Sequence, residues 1–142
     1  MTVLTLQKAN QIINGALQKA RQLNLAPLVV VVLDENGFIK ALQREDGATL
    51  LRQDIAIAKA WGAVNMGVSS RSLAIVAEQR PAFMNALTDI AKGKVMPVPG
   101  GVLIRDQDNH IIGAVGISGD VSDQDEASAV AGIKEAGLIP GL

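Results

Sequence analysis

Pro99-Gly100-Gly101-Val102-Leu103-Ile104-Arg105 and Ile111-Ile112-Gly113-Ala114-Val115-Gly116-Ile117-Ser118-Gly119 are two apolar runs joined by a polar turn, Asp106 to Asn109. Runs of this length around a short polar segment predict a β-hairpin. Strand alternation then puts Ile111, Gly113, Val115 and Ile117 on one face and Ile112, Ala114, Gly116 and Ser118 on the other. The second face carries little bulk, so a helix, a second subunit or a flat ligand can come close to its main chain. Gly100 and Gly101, at the start of the partner strand, border the same region. Asp120-Val121-Ser122-Asp123-Gln124-Asp125-Glu126-Ala127 follows, and predicts a strand handing over to a helix whose carboxylates cap it and offset its dipole.

Upstream, Leu6, Ala9, Ile13, Ala16, Leu17, Ala20 and Leu23 recur at helical spacing behind Thr5, a candidate N-cap. Pro27 ends that helix. Leu28 to Leu33 is short, β-branched and apolar on both sides, the pattern of a central strand covered on each face. Asp34-Glu35-Asn36-Gly37 supplies a tight turn into a second strand, Phe38 to Arg44. A long helix is predicted from about Leu50 to Met66, with Arg52 and Lys59 nearly aligned on it, which reads equally as a solvated stripe or as a pocket cation. Two shorter helices follow, one capped by Ser69 or Ser70 and one opened by Pro81 and running to about Lys92. A last helix over Asp123 to Ala136 is ended by Gly137 and Pro140. Helix, two strands, several helices, two strands and a helix, with both strand pairs joined as hairpins, make an α+β sandwich with a largely antiparallel sheet.

The chain has 142 residues, room for one domain spanning 1–142 with its own core. Its 13 basic and 14 acidic residues leave a net charge of −1, which gives no field to recruit nucleic acid or an anionic membrane. Phe38, Trp61 and Phe83 are the only aromatic residues, too few for a platform that stacks single-stranded bases. Cysteine is absent, which removes thiolate nucleophiles, sulfur-ligated metals and disulfides. The beginning, from Met1 to Lys8, lacks a basic segment followed by an apolar stretch, and no apolar run is long enough for a membrane span, so a cytoplasmic protein is expected.

The motifs name no reaction. Gly113, Gly116 and Gly119 are not spaced as a dinucleotide fingerprint, and no βαβ unit surrounds them. Asp106-Gln107-Asp108-Asn109-His110 begins like a calcium loop but has Ile111 where that loop needs glycine. His110 is the only histidine. It stands beside a turn, where a solvated side chain is the simple reading and a metal or haem ligand the sharper one. Ser118 lacks the spacing of a nucleophile elbow. Arg44, Glu45 and Asp46 cluster where a strand leaves the sheet, a place where loop charges on a rigid scaffold contact ligands. Lys59, if desolvated, would have a lowered pKa and could act as a base or form a Schiff base.

Gly100 to Ile104, Ile112 to Gly119 and Gln124 to Ala127 resemble the hallmark of the GlcG/HbpS family. Asp34 to Gly37, Gln43 to Ala48 and Ala56 to Ala60 are similar to that family's earlier segments in the same order. The family comprises small proteins associated with haem binding or found among bacterial metabolic genes, and also forms the C-terminal domain of propanediol-utilisation cobalamin adenosyltransferases. The resemblance implies a profilin-like layered domain of about five strands, a homo-oligomer (dimer or higher), and a small-molecule partner, with haem or another tetrapyrrole as a candidate cofactor. It leads to a small-ligand-binding accessory protein without catalytic or metal-ligating residues, associated with bacterial catabolic genes, whose ligand contacts are Arg44, Asp46, Lys59, Gly100, Gly101, Gly116 and Ser118. Alternatives are an enzyme acting on a small hydroxy acid, diol or carbonyl compound through Lys59, Arg44 and Asp46, and a non-catalytic homo-oligomeric assembly subunit.

Overall fold

A computed structural model describes residues 2–142; Met1, where the amino-terminal reading starts, lies outside them. Helix α1 (Leu6–Gln22) precedes β1 (Val29–Asp34) and β2 (Ile39–Arg44). Three helices follow, α2 (Leu50–Met66), α3 (Ser70–Gln79) and α4 (Pro81–Ile90), and then β3 (Gly101–Arg105), β4 (Ile111–Ser118), α5 (Ser122–Glu135) and β5 (Ile139–Gly141). The strands form one antiparallel sheet in the order β2-β1-β4-β3-β5. Both hairpins lie where the turn chemistry predicts them. Asp34 Oδ1 accepts from the Asn36 and Phe38 N–H groups, and Gly37 takes φ +89°, which the tight turn requires. Thr5 caps α1 by accepting from the Lys8 N–H, and Ser69 caps α3 by accepting from Ser72.

Each face of the sheet has its own core. Val30, Val32, Val102, Ile104, Val115 and Ile117 pack with Ile12, Ile13 and Ala16 of α1 and Ala129 and Ile133 of α5. On the other side Val29, Val31, Leu33, Leu103 and Ala114 pack under Ala56, Ala60 and Ala63 of α2. The central strands are therefore apolar on both faces, as the run Leu28 to Leu33 demands. A third cluster, Leu73, Met84, Ala91 and Val95, holds α3 and α4 against the outer side of α2 near Trp61.

Three details differ from the sequence reading. The register shifts between Ile104 and Arg105, which face Gly113 and Ile111 respectively. The intervening Ile112 is the extra residue of a bulge, and a bulge resets alternation. Ile112 consequently enters the α1/α5 core while Ile111 packs on the α2 side, the reverse of strict alternation; from Gly113 to Ser118 the alternation holds. Pro140, read as a helix stop, sits in β5, an edge strand whose outer side needs no N–H donor. The N-cap of α5 is Val121, with no side-chain cap bond. Its neighbouring carboxylates are engaged elsewhere.

Candidate functional site

Val29 pairs with Arg44 on one side and Ser118 on the other, while Gly101 pairs with Gly116. The start of β1, the ends of β2 and β4 and the start of β3 thus share one end of the sheet. Six of the seven residues singled out in the sequence, Arg44, Asp46, Gly100, Gly101, Gly116 and Ser118, lie at or just inside this end, and the seventh, Lys59, reaches it from α2.

The small-residue face is closed by the chain itself. A Cβ built on Gly116 would stand 1.9 Å from the Ala56 carbonyl oxygen, and one on Gly101 would stand 2.3 Å from that of Lys59. Both glycines exist so that the α2 backbone can lie directly on the strands, which corrects the expectation of main chain left open there for a ligand. Gly100, at φ +126°, is constrained twice, by its backbone and because a Cβ would come 2.7 Å from Lys59 Nζ. Ser118 is 1% exposed. Close helix packing is what the structure shows along this strip.

Lys59 is not part of a solvated stripe. It is 2% exposed, and its ammonium donates to the Ile117 carbonyl at 2.9 Å and to Asp125 Oδ2 at 3.1 Å. Asp125 is 1% exposed and its Oδ1 accepts the Asp120 N–H at 3.0 Å. Burial lowers the pKa of Lys59 and raises that of Asp125, each against the attraction of the other. The sequence read Asp125 only as dipole compensation; nothing in α5's own periodicity assigns it a partner 66 residues away. Arg71 at the start of α3 behaves in parallel, with Nε donating to both carboxylate oxygens of Glu126, at 2.9 and 3.1 Å, and Nη2 pairing with Asp123. The acidic cluster does hold cations, and they are the chain's own Lys59 and Arg71. Ser70 completes this corner, accepting the Gly101 N–H at 2.7 Å.

Beside this sealed corner lies a hollow of about 370 Å³ lined by Arg21, Pro27, Arg44, Glu45 and Asp46. Glu45 Oε1 accepts from the Leu28 N–H at 2.8 Å and from Arg21 at 3.2 Å; Arg21 also donates to the Ala26 carbonyl, and Arg44 to the Ala48 carbonyl at 2.9 Å. Asp120 joins hollow and corner. Its Oδ2 accepts the Ala26 N–H at 2.8 Å while its own N–H binds Asp125, and the Ala26 and Val121 N–H groups hold its carboxyl below the usual range. Arg44 and Asp46 thus meet a cavity, whereas Lys59, Gly100, Gly101, Gly116 and Ser118 stand behind its wall. Arg21, from the last turn of α1, was not singled out by the sequence, because only the fold brings it to Glu45.

At the opposite end of the hairpin, Asp106, Asp108 and His110 place one ligand atom each within 4.8 Å of one another. Asp106 is buried, and its oxygens already accept the N–H groups of Thr2, Asp108 and His110. These bonds, Thr2 first, hold its pKa at about 2. His110 Nδ1 lies 3.4 Å from Asp106 Oδ2, with half of its side chain exposed.

A layered α+β sandwich with an antiparallel sheet, two helices on one face and α2 on the other, and a charged hollow at one sheet end describe a small single-sheet class of protein. The family model described as "Haem degrading protein HbpS-like" matches residues 4–134, and the chain belongs to this HbpS-like family. It is 33% identical over 122 residues to the corrinoid adenosyltransferase PduO of Salmonella typhimurium, covering 86% of this chain but 35% of PduO. The chain therefore spans about a third of that relative's length. A 15.0 kDa protein from the dhaT-dhaS intergenic region of Citrobacter freundii is 28% identical, and 89% of it is covered. Among solved structures, the complex of PduOC with haem matches with a TM-score of 0.88 and 29% identity, over 99% of this chain and 100% of that one. A double mutant of Streptomyces reticuli HbpS matches at 0.81 and 30% identity, over 94% of this chain and 87% of that one. The expected fold and family are both found. No helix of the described residues is long and apolar enough to cross a membrane.

Proposed function

We propose that this chain is a small-ligand-binding accessory protein that takes its ligand at the sheet end bearing Arg44 and Asp46. The observation that carries the reading is the hollow of about 370 Å³, set where loop charges are fixed by a rigid strand end. Support for an accessory role comes from the full-length likeness to PduOC, a structure solved with haem bound. Its place beside bacterial catabolic genes, a cytoplasmic location and assembly into dimers or larger rings belong to this proposal as well.

A tetrapyrrole is the second reading, favoured by that complex. The donors of this chain do not fit an enclosed haem within one copy: the hollow has four ionic walls and neither imidazole nor thioether, and His110 stands on an open turn at the far end of the hairpin. Titration of the purified protein with haemin separates the two. A Soret shift that His110→Ala removes would establish axial ligation by that residue, and an unshifted spectrum would end the haem reading for this chain. Catalysis through Lys59 has one observation behind it, the lowered pKa, and meets an obstacle in the same residue, which is 2% exposed with its Nζ already bonded to the Ile117 carbonyl and Asp125.

A further inference from the structure

We propose that the hollow between Arg21, Pro27, Arg44, Glu45 and Asp46 binds a small organic acid that carries a hydroxyl group close to its carboxylate. This deepens, and rests on, the reading of the sheet end as the ligand site.

The charge arrangement selects the class. Four of the five lining residues are ionic and formally cancel, but they are not equally available. Glu45 is a strut, because its Oε1 is held by the Leu28 N–H and by Arg21, and the Glu45 N–H is itself bonded to the Leu28 carbonyl at 2.9 Å. Arg21 is held in turn by Glu45 and by the Ala26 carbonyl. Arg44 is anchored by one contact, Nη1 to the Ala48 carbonyl at 2.9 Å, which leaves the other donors of its guanidinium without a partner among the described residues. Asp46 enters no hydrogen bond or ion pair within the described residues. The hollow therefore offers one oriented guanidinium and, two residues away, one unengaged carboxylate.

A carboxylate satisfies a guanidinium edge through two parallel charge-assisted bonds. Asp46, acting only as an acceptor at neutral pH, repels a second anionic group and rewards a hydroxyl. A neutral polyol forfeits the guanidinium, and a dianion meets both Asp46 and Glu45. The walls are set before any ligand arrives: Pro27 fixes its own φ, and Gly47, at φ +90°, folds the Glu45–Ala48 turn so that a Cβ there would touch Pro27 Cγ at 3.3 Å.

Calorimetric titration and thermal shift of the full chain in low-salt, chloride-free buffer, with D-glycerate, propionate, glycerol and ethanolamine as probes, test this directly. D-glycerate is expected to bind about tenfold or more tightly than propionate, and glycerol and ethanolamine to give no measurable binding. Arg44→Gln lowers D-glycerate affinity by about tenfold or more, and Asp46→Asn, on an exposed residue without internal partners, erases the preference for D-glycerate over propionate. Glycerol or ethanolamine binding best, and losing that binding in Arg44→Gln, would overturn the acid class while keeping the site. No binding of any probe, or binding unchanged in both variants, would overturn the site itself. Neither variant touches His110, so the haemin titration reports on the tetrapyrrole reading independently.

Discussion

Replacing Asp125 by Asn separates an ammonium from its carboxylate inside the protein. Lys59 would keep the Ile117 carbonyl but lose the charge at 3.1 Å, in surroundings where both partners are no more than 2% exposed. Removing one member of a buried ion pair costs about 3–5 kcal/mol, since the remaining charge is left uncompensated. For a chain of this size that lowers Tm by roughly 9–15 °C, at about 3 °C per kcal/mol. Lys59→Met should cost slightly less, because Asp125 can take up a proton and retain the Asp120 N–H. The double variant Lys59→Met/Asp125→Asn should lose at least about 2 kcal/mol less than the sum of the single losses. The pH dependence has a definite sign. Burial lowers the folded-state pKa of Lys59, so between that value and its ordinary one the unfolded chain binds more protons, and stability rises with pH. The deficit of Asp125→Asn should accordingly shrink as pH rises from neutrality toward about 10, the ordinary lysine range. Urea unfolding followed by Trp61 fluorescence and far-UV circular dichroism measures all four proteins. Additive single losses, or an Asp125→Asn deficit that is below about 1 kcal/mol and flat with pH, would refute the account of a desolvated, mutually dependent pair.

Gly116→Ala forces a Cβ to within 1.9 Å of the Ala56 carbonyl, and should cost at least about 3 kcal/mol or prevent folding; Gly101→Ala, at 2.3 Å from the Lys59 carbonyl, should be nearly as severe. Gly93→Ala, with open space around it and only its φ of +80° against it, should cost about 1–2 kcal/mol, which urea melts distinguish from the first two. Asp106, with its pKa held at about 2, contributes stability that is fully present above the ordinary carboxylate pKa and is lost as pH falls through about 2. Asp106→Asn should therefore be less stable than the native chain at about pH 5, above the ordinary carboxylate range, and converge with it on acid titration, as circular dichroism can follow.

Local patterns dictate local structure here, and the long-range chemistry follows from none of them. Thr5, Ser69, Pro81 and the Asn36-Gly37 turn mark element ends through contacts a few residues away, so the helices and both hairpins were legible in the sequence. The fifth strand was not, because Ile139-Pro140-Gly141 has too few residues for a period and acquires strand geometry only from pairing with β3. Ile112 was misplaced for a related reason: a bulge is set by the register of the partner strand rather than by the alternation of its own. At the site, Arg44 and Asp46 announced themselves as charges at a strand end. The pairing of Lys59 with Asp125, and of Arg71 with Glu126, joins residues 66 and 55 positions apart, and either pair is ordinary in its own helix.

The same glycines that suggested a ligand face explain why the ligand site lies beside it. Withholding bulk at Gly101 and Gly116 brings the α2 backbone onto the sheet, and this carries Lys59 far enough under Gly100 for its ammonium to meet Asp125. Asp125 in turn holds the Asp120 N–H, and the Asp120 side chain holds Ala26, whose carbonyl positions Arg21 at the edge of the hollow. Bulk restored at Gly116 would act on the hollow through that sequence of bonds even though no atom of Gly116 lines it. A milder substitution in the same chain of contacts, Asp120→Asn, keeps the side chain's shape and replaces by a donor one of the two acceptor oxygens that serve the Ala26 and Val121 N–H groups. Loss of D-glycerate affinity in Asp120→Asn with native unfolding behaviour would show that the buried pair and the open hollow form one unit; unchanged affinity would show that the hollow stands on Glu45 and Pro27 alone.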